Sequence, residues 1–311
     1  SDCMITTLTP SPSIDLHYHL ADLEIGKVNR AQQLVVQAGG KGFNVSKILT
    51  KMGVKNSAVI PLSENEEKFF SDSARFEGMD LIAVPISSPI RLNASLLVRG
   101  ETTKVNAASA PWTKLEADRV SKKFYWQARR SDFAVIGGSL PIDVPASWLV
   151  GLARDIGKKT RVVIDCSGSM LKNAILAEPY LIKPNREEAE ELLGHEILGE
   201  KDAFAACFEM HKMGAKNILL SLGHDGVVFC DGKNLWRGYS RKVSVVNTVG
   251  AGDTLLAGFL GGFKKGVQYA LANGLAWSEA LLQYGSENLE SRTIVPDLSQ
   301  VVLIEASGVH V

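Results

Sequence analysis

The feature that most restricts the fold of this chain is a repeated alternation of short apolar runs with longer stretches of helical spacing. Strand-like runs fall at Met4–Leu8, Ser57–Pro61, Leu81–Pro85, Phe133–Ile136, Arg161–Ile164, Tyr180–Ile182 and Asn217–Ser221. Helix-like stretches lie at Phe43–Met52, where Gly53 is a stop, and at Glu64–Phe76, Lys114–Arg129, Pro145–Ile156, Arg186–Leu193 and Lys201–Met213. Helical patterns dominate again from Asp253 to Tyr284. Strands this apolar are buried on both faces, as when crossover helices cover a mainly parallel sheet. The chain is therefore read as an α/β protein. Two segments break the alternation. Asp15–Val36 is extended with mixed polarity, and Arg91–Arg99, a Gly100-Glu101 turn and Thr102–Asn106 form a hairpin with one polar face. Half-polar sheet does not belong in a doubly covered core. A small β lid, over about 12–36 and 86–109, is expected on a single domain spanning 1–311.

The function classes narrow next. The 34 Lys and Arg balance the 34 Asp and Glu, so nucleic acid and anionic membranes are not expected partners. No apolar stretch approaches the roughly 20 residues needed to span a bilayer, and the start of the chain lacks a basic signal-like region. Cys3, Cys166, Cys207 and Cys230 are too sparse for a disulfide framework and lack metal-site spacing, so they read as reduced thiols of a cytoplasmic protein. The histidines form no pair at ligand spacing, and neither Ser139 nor Ser221 has an evident histidine partner.

Chemistry is concentrated in Val245-Val246-Asn247-Thr248-Val249-Gly250-Ala251-Gly252-Asp253-Thr254, between a β-branched run and an apolar helical run. Gly250, Ala251 and Gly252 would leave backbone N–H groups bare at a helix start, which favours a phosphate. An aspartate there is electrostatically wasteful unless it handles a proton. A base for a hydroxyl beside donors for a transferring group is what phosphoryl transfer requires. The alternative is that Asp253 only caps the helix. Ala38-Gly39-Gly40-Lys41-Gly42-Phe43-Asn44 places a second glycine loop at a helix start; it matches neither a Walker A loop nor a dinucleotide fingerprint. Lys183-Pro184-Asn185-Arg186-Glu187-Glu188 has either a capping-box spacing or a role at Mg²⁺ and phosphate. Ser221-Leu222-Gly223 and Gly137-Gly138-Ser139 close strands, where α/β proteins expose their sites.

Taken in order, these segments resemble the phosphofructokinase B branch of the ribokinase-like sugar kinases, from Thr9 to about Tyr284. The resemblance implies a ribokinase-like three-layer αβα sandwich using ATP and Mg²⁺. It implies that Asp253 is the base, with Gly250, Ala251 and Gly252 as the anion hole for the γ-phosphate. It places Lys183, Asn185, Ser221, Gly223 and Thr248 along the nucleotide, and Asn185 and Glu188 at Mg²⁺ through water and phosphate. Asp15, Gly39, Gly40, Asn44 and Ser139 would serve the sugar. Family lids often pair between two subunits, so a homodimer through the lid is implied. Arg91-Leu92-Asn93 and Thr102-Thr103-Lys104-Val105-Asn106 are similar to 1-phosphofructokinases. On that likeness Lys41, Arg91 and Lys104 surround an existing phosphate far from Asp253, and Asn93 and Asn106 bind the sugar. The implied reaction converts fructose 1-phosphate to fructose 1,6-bisphosphate. Tagatose 6-phosphate or fructose 6-phosphate is the alternative substrate, and a non-catalytic nucleotide- or sugar-phosphate-binding protein the alternative from another class. Three departures from the family stand out: Ala107-Ala108-Ser109-Ala110 after Asn106, Gly137 in place of serine, and Phe43 in place of a smaller aliphatic residue.

Overall fold

The computed structural model describes residues 3–242, 250–284 and 295–306. Fourteen strands and nine helices follow in chain order among these residues: β1 Met4–Leu8, β2 Ser13–Leu20, β3 Gln33–Gly39, α1 Lys41–Lys51, β4 Lys55–Leu62, α2 Glu64–Glu77, β5 Leu81–Pro85, β6 Arg91–Val98, β7 Glu101–Asn106, α3 Lys114–Ala128, β8 Phe133–Gly137, α4 Ala146–Gly157, β9 Arg161–Asp165, α5 Gly168–Ala174, β10 Leu181–Ile182, α6 Arg186–Leu193, α7 Glu200–Met213, β11 Asn217–Ser221, β12 Val227–Cys230, β13 Leu235–Ser240, α8 Ala251–Gly262, α9 Val267–Tyr284 and β14 Val301–Glu305.

Ten strands form the main sheet in the order β14-β13-β12-β11-β10-β9-β8-β1-β4-β5. Pairing is parallel from β5 across to β11 and antiparallel from there to β14. Successive residues of β8 feed opposite cores, as the pleat demands. Ala134 and Ile136 pack with Val120 and Phe124 of α3 and Leu149 of α4, while Phe133 and Val135 face Leu49 of α1 and Leu256 and Leu260 of α8. This is a three-layer α/β sandwich, as the alternation in the sequence implied. Among the described residues no helix is long and apolar enough to cross a membrane.

The antiparallel edge and α5 were not foreseen. Val227–Cys230 and Leu235–Ser240 flank Asp231-Gly232-Lys233-Asn234, a hairpin signal in which the Asp231 carboxylate accepts from the Lys233 and Asn234 amides.

The second sheet holds four strands in the order β3-β2-β6-β7. The turn joining β6 to β7 is Arg99-Gly100, not Gly100-Glu101, because Val98 pairs with Glu101. Both turn residues have positive φ, 50° and 83°, the two-residue turn that matches strand twist.

The order of the main sheet reverses at β1. After β1 the chain builds β4 on one side, and β8 later pairs on the other. Ligand crevices of open α/β sheets form at such a reversal, outside the carboxyl ends of the strands. The carboxyl ends of β1, β8, β9, β10 and β11 carry almost every loop singled out above.

Candidate active site

Helix α8 begins where chain geometry leaves donors bare. Gly250 is its N-cap with φ of 82°, a left-handed conformation that costs a glycine little. The first amide with an intrahelical acceptor is that of Thr254, bonded to the Gly250 carbonyl at 2.9 Å. The Ala251, Gly252 and Asp253 amides precede it, so within the helix they have no acceptor, and they lie at its positive end. A Cβ on Gly252 would stand 3.0 Å from Lys183 Nζ. The lysine therefore lies directly over this turn, and a side chain at position 252 would displace it. Helix α8 is held from behind by a close crossing with α9, where a Cβ on Gly258 would meet Gly274 Cα at 2.6 Å.

The N-cap, Gly250, has no side chain to close that N-terminus, and among the described residues the Asp253 carboxylate is bonded to Asn44 rather than to the helix end. It is buried, 8 % exposed, and its Oδ2 accepts from Asn44 Nδ2 at 2.9 Å. Asn44 belongs to the first turn of α1, so the two glycine-led helices meet here. Burial raises the Asp253 pKa above the usual carboxylate range, and Asp165 adds to the rise; Lys41, Asn44 and Lys183 oppose it. A carboxylate with its proton affinity raised, yet held by an amide, suits a general base.

The charges around it are organised by Asp165, the last residue of β9. Its Oδ1 lies 3.2 Å from Lys41 Nζ and its Oδ2 3.5 Å from Lys183 Nζ. Burial resists ionisation of Asp165, but Lys183 and Lys41 outweigh it and hold the pKa below the ordinary value. Lys41 is held charged chiefly by Asp165, against burial, with further support from Asp253 and Glu188. Lys41 therefore stands at the Asp253 end of the site. The Lys41 ammonium is thus drawn to the end of β9, whereas Arg91 and Lys104 lie on β6 and β7 of the small sheet. Asp165 itself was missed, although a carboxylate closing the apolar run Val162-Val163-Ile164 was the available signal.

The remaining carboxyl-edge residues gather nearby. Asn185 and Glu188 form the capping box of α6: Asn185 Oδ1 accepts from the Glu188 amide at 2.8 Å, and Glu188 Oε2 from the Asn185 amide at 2.9 Å. Ser221 bridges to Asn185 and donates its amide to the Pro184 carbonyl at 2.9 Å, and Gly223 follows with φ of 63°. Gly138 donates to the Asp165 carbonyl at 2.8 Å, which places Ser139 beside that strand end. A Cβ on Gly137 would come within 2.8 Å of the Gly42 amide nitrogen, which accounts for glycine in place of serine. Phe43 is fully buried edge-on against Phe70, at 5.4 Å between centroids, so the core absorbs the larger side chain. Thr248 lies outside the described residues.

The small sheet sorts the other candidates by register. Asp15 lies opposite Asn93, Asn93 opposite Asn106, Ser13 opposite Arg91, and Ser95 opposite Lys104. Side chains alternate along a strand, so Asp15, Arg91, Asn93, Lys104 and Asn106 share one face. Gly39 lies on that face as well, where a Cβ would collide with the Asp15 carboxylate. Arg91 donates to the Ser11 carbonyl at 3.2 Å, and burial lowers its pKa while Asp15 opposes the shift. Asn93 Oδ1 accepts from the Ala107 amide at 3.1 Å.

A family model described as pfkB family carbohydrate kinase matches residues 11–288. The chain is 31% identical over 264 residues to a 1-phosphofructokinase of Borreliella burgdorferi, covering 85% of this chain and 86% of that one. It is 31% identical over 303 residues to a 1-phosphofructokinase of Haloferax volcanii, covering 97% and 96%. Phosphofructokinase-2 of Escherichia coli in complex with substrates and products superposes with a TM-score of 0.79 at 26% identity, covering 88% of this chain and 92% of that one. The tetrameric inhibited form of phosphofructokinase-2 from that organism superposes with a TM-score of 0.82 at 24% identity, over 91% and 94%. With a buried aspartate set among bare amides at a helix start, and a family match across most of its length, this chain belongs to the pfkB family of carbohydrate kinases.

Proposed function

We propose that the protein transfers the γ-phosphoryl group of ATP to the free C6 hydroxyl of fructose 1-phosphate, giving fructose 1,6-bisphosphate and ADP. The observation that carries this reading is Asp253, buried and bonded to Asn44 beside the open N-terminus of α8. Asp253 takes the hydroxyl proton as the oxygen attacks phosphorus in line. The Ala251 and Gly252 amides meet the charge that builds on the equatorial oxygens, and Lys183 and Lys41 flank the transferring group. Asn185, Ser221, Gly223 and Thr248 serve the nucleotide. Among the described residues no cluster of three acidic, histidine or cysteine groups could enclose a metal. One carboxylate plus substrate phosphates is nevertheless the ordinary way to hold Mg²⁺, and Glu188 with Asn185 fits that looser arrangement. Bound there, Mg²⁺ would neutralise phosphate charge. Arg91 and Lys104 take the existing phosphate, and Asp15, Asn93, Asn106, Gly39, Gly40 and Ser139 orient the sugar.

The polar face of the small sheet, over about 12–36 and 86–109, acts as a lid that excludes water as a competing acceptor. Its opposite face presents Leu34, Val36, Leu92 and Val105, 45 to 58 % exposed. That apolar face supports a homodimer formed through two lids; Val36→Lys with Leu92→Glu should convert the dimer to monomer by light scattering. A cytoplasmic location accords with four free cysteines, three of them buried.

The deciding assay is ADP release with ATP, Mg²⁺ and a panel of fructose 1-phosphate, fructose 6-phosphate, tagatose 6-phosphate and unphosphorylated fructose. Fructose 1-phosphate is expected to give the highest kcat/KM. Preference for an unphosphorylated sugar would overturn the roles of Arg91 and Lys104, and no turnover on any would leave a binding protein.

A further inference from the structure

A cavity of about 440 Å³ lies away from the crevice described above and opens at the opposite edge of the sheet. Its wall is built from the amino-terminal ends of β8, β9, β10 and β11 and the loops entering them: Ser131-Asp132, Lys158 to Val162, Ala177 to Tyr180, and Lys216. That volume suits a small metabolite. Four cations line it, Lys158, Lys159, Arg161 and Lys216, against two carboxylates, Asp132 and Glu178. In a chain with no net charge this is a local excess.

The partners sharpen the imbalance. Lys158 is paired with Asp155 at 3.1 Å, and Asp132 accepts from the Met4 amide at 2.8 Å with Lys264 Nζ 3.9 Å away. Among the described residues Lys159, Arg161 and Lys216 have no carboxylate within ion-pair distance. Three cations thus face one remaining acid, Glu178. Arg161 is also preorganised: its guanidinium carbon lies 5.3 Å from the Tyr180 ring centroid and 5.6 Å from those of Phe133 and Phe263. Seated over three rings, it loses little side-chain freedom when an anion arrives. The rim is also strained. Glu178 takes φ of 52° and ψ of 53°, a left-handed conformation that a non-glycine residue adopts at a cost, and it does so immediately before Pro179. Strain at a cavity mouth is a mark of a shaped site rather than of a slack surface.

We propose that this cavity binds a small polyanion, a metabolite carrying two or more phosphoryl or carboxylate charges, with Lys159, Arg161 and Lys216 as its counter-charges. The site is separate from the reacting crevice. Strand β9 starts with Arg161 at the cavity and ends with Asp165 beside Lys41 and Lys183, about 13 Å away at about 3.3 Å per residue.

The test is calorimetric titration of the full chain with inorganic pyrophosphate and, separately, citrate, both substrate sites having been filled with a non-hydrolysable ATP analogue and fructose 1-phosphate. Wild type is expected to bind one of the two probes under these conditions, which also tells phosphoryl from carboxylate preference. Lys159→Glu with Lys216→Glu should weaken that binding by about tenfold or more, because two nearby charges are reversed. Both side chains are exposed, so folding and turnover should be unchanged; Lys159→Gln with Lys216→Gln is the milder pair should the reversal unfold the chain. Absence of binding by both probes to substrate-saturated wild type, or equal binding by wild type and the folded variant, would overturn the proposal.

Discussion

Replacing Asp165 by asparagine removes the charge that holds two lysines at the reacting crevice while keeping the shape of the side chain. The wild-type carboxylate is 1 % exposed, lies 3.2 Å from Lys41 Nζ and 3.5 Å from Lys183 Nζ, and Lys183 is itself only 4 % exposed. At an effective dielectric of about 20, each contact carries about 5 kcal/mol of Coulomb attraction. The two do not count equally. Lys41 is 37 % exposed, so water takes over much of its share, whereas Lys183 would be left buried without its counter-charge. Stranding one member of a buried pair typically costs about 3–5 kcal/mol, and that is the loss expected for Asp165→Asn at neutral pH. Urea unfolding gives the number directly. The pH dependence supplies a second check. The folded-state pKa of Asp165 lies below its unfolded value, so its contribution is present above about pH 4 and is lost as pH falls through the depressed folded value. The gap between wild type and variant should therefore be full near neutrality and close in acid. A loss under about 1 kcal/mol, or a gap that persists in strong acid, would refute the account of Asp165 as the organising charge.

Further outcomes follow from the geometry of α8. Asp253→Asn should reduce turnover by about 10²-fold or more while nucleotide binding survives; near-normal turnover would remove Asp253 from its role. Burial raises the Asp253 pKa, so its ionised form weakens the fold: the stability it gives in acid is lost as pH rises through the folded value. The variant should thus melt no lower than wild type at neutral pH, and the wild-type kcat profile should show an acid limb above the range of an ordinary aspartate. Gly258→Val should destabilise by about 2 kcal/mol or more, since its side chain would drive α8 from α9 where a Cβ already meets Gly274 Cα at 2.6 Å; unchanged thermal unfolding would show that the crossing tolerates bulk.

Much of this site was legible along the chain because its parts are local signals. Glycines set between a β-branched run and an apolar helical run mark a helix start, and Gly250-Ala251-Gly252 declared one with Asp253 inside it. Arg91, Asn93, Lys104 and Asn106 could be assigned to one hairpin face from alternation alone. Asp165 was not legible in the same way: a carboxylate ending an apolar strand acquires meaning only when lysines from two other loops, 124 and 18 positions away (165 − 41 and 183 − 165), converge on it. The position of the Lys41 ammonium was hidden for the same reason. The lysine's sequence neighbours place it in the Gly39-Gly40 loop, but its ammonium reaches across to β9.

Hydrophobic periodicity and turn chemistry alone determined the layered α/β fold, the small half-polar sheet and an aspartate at a glycine-led helix start, because each depends on residues within a few positions of one another. The pairing of Lys41 and Lys183 through Asp165, the contact of Asn44 with Asp253 and the cationic cavity around Arg161 were decided only by tertiary structure. Charge interactions act through space, and which distant side chains come within a few ångströms is set by strand order, which no local pattern encodes.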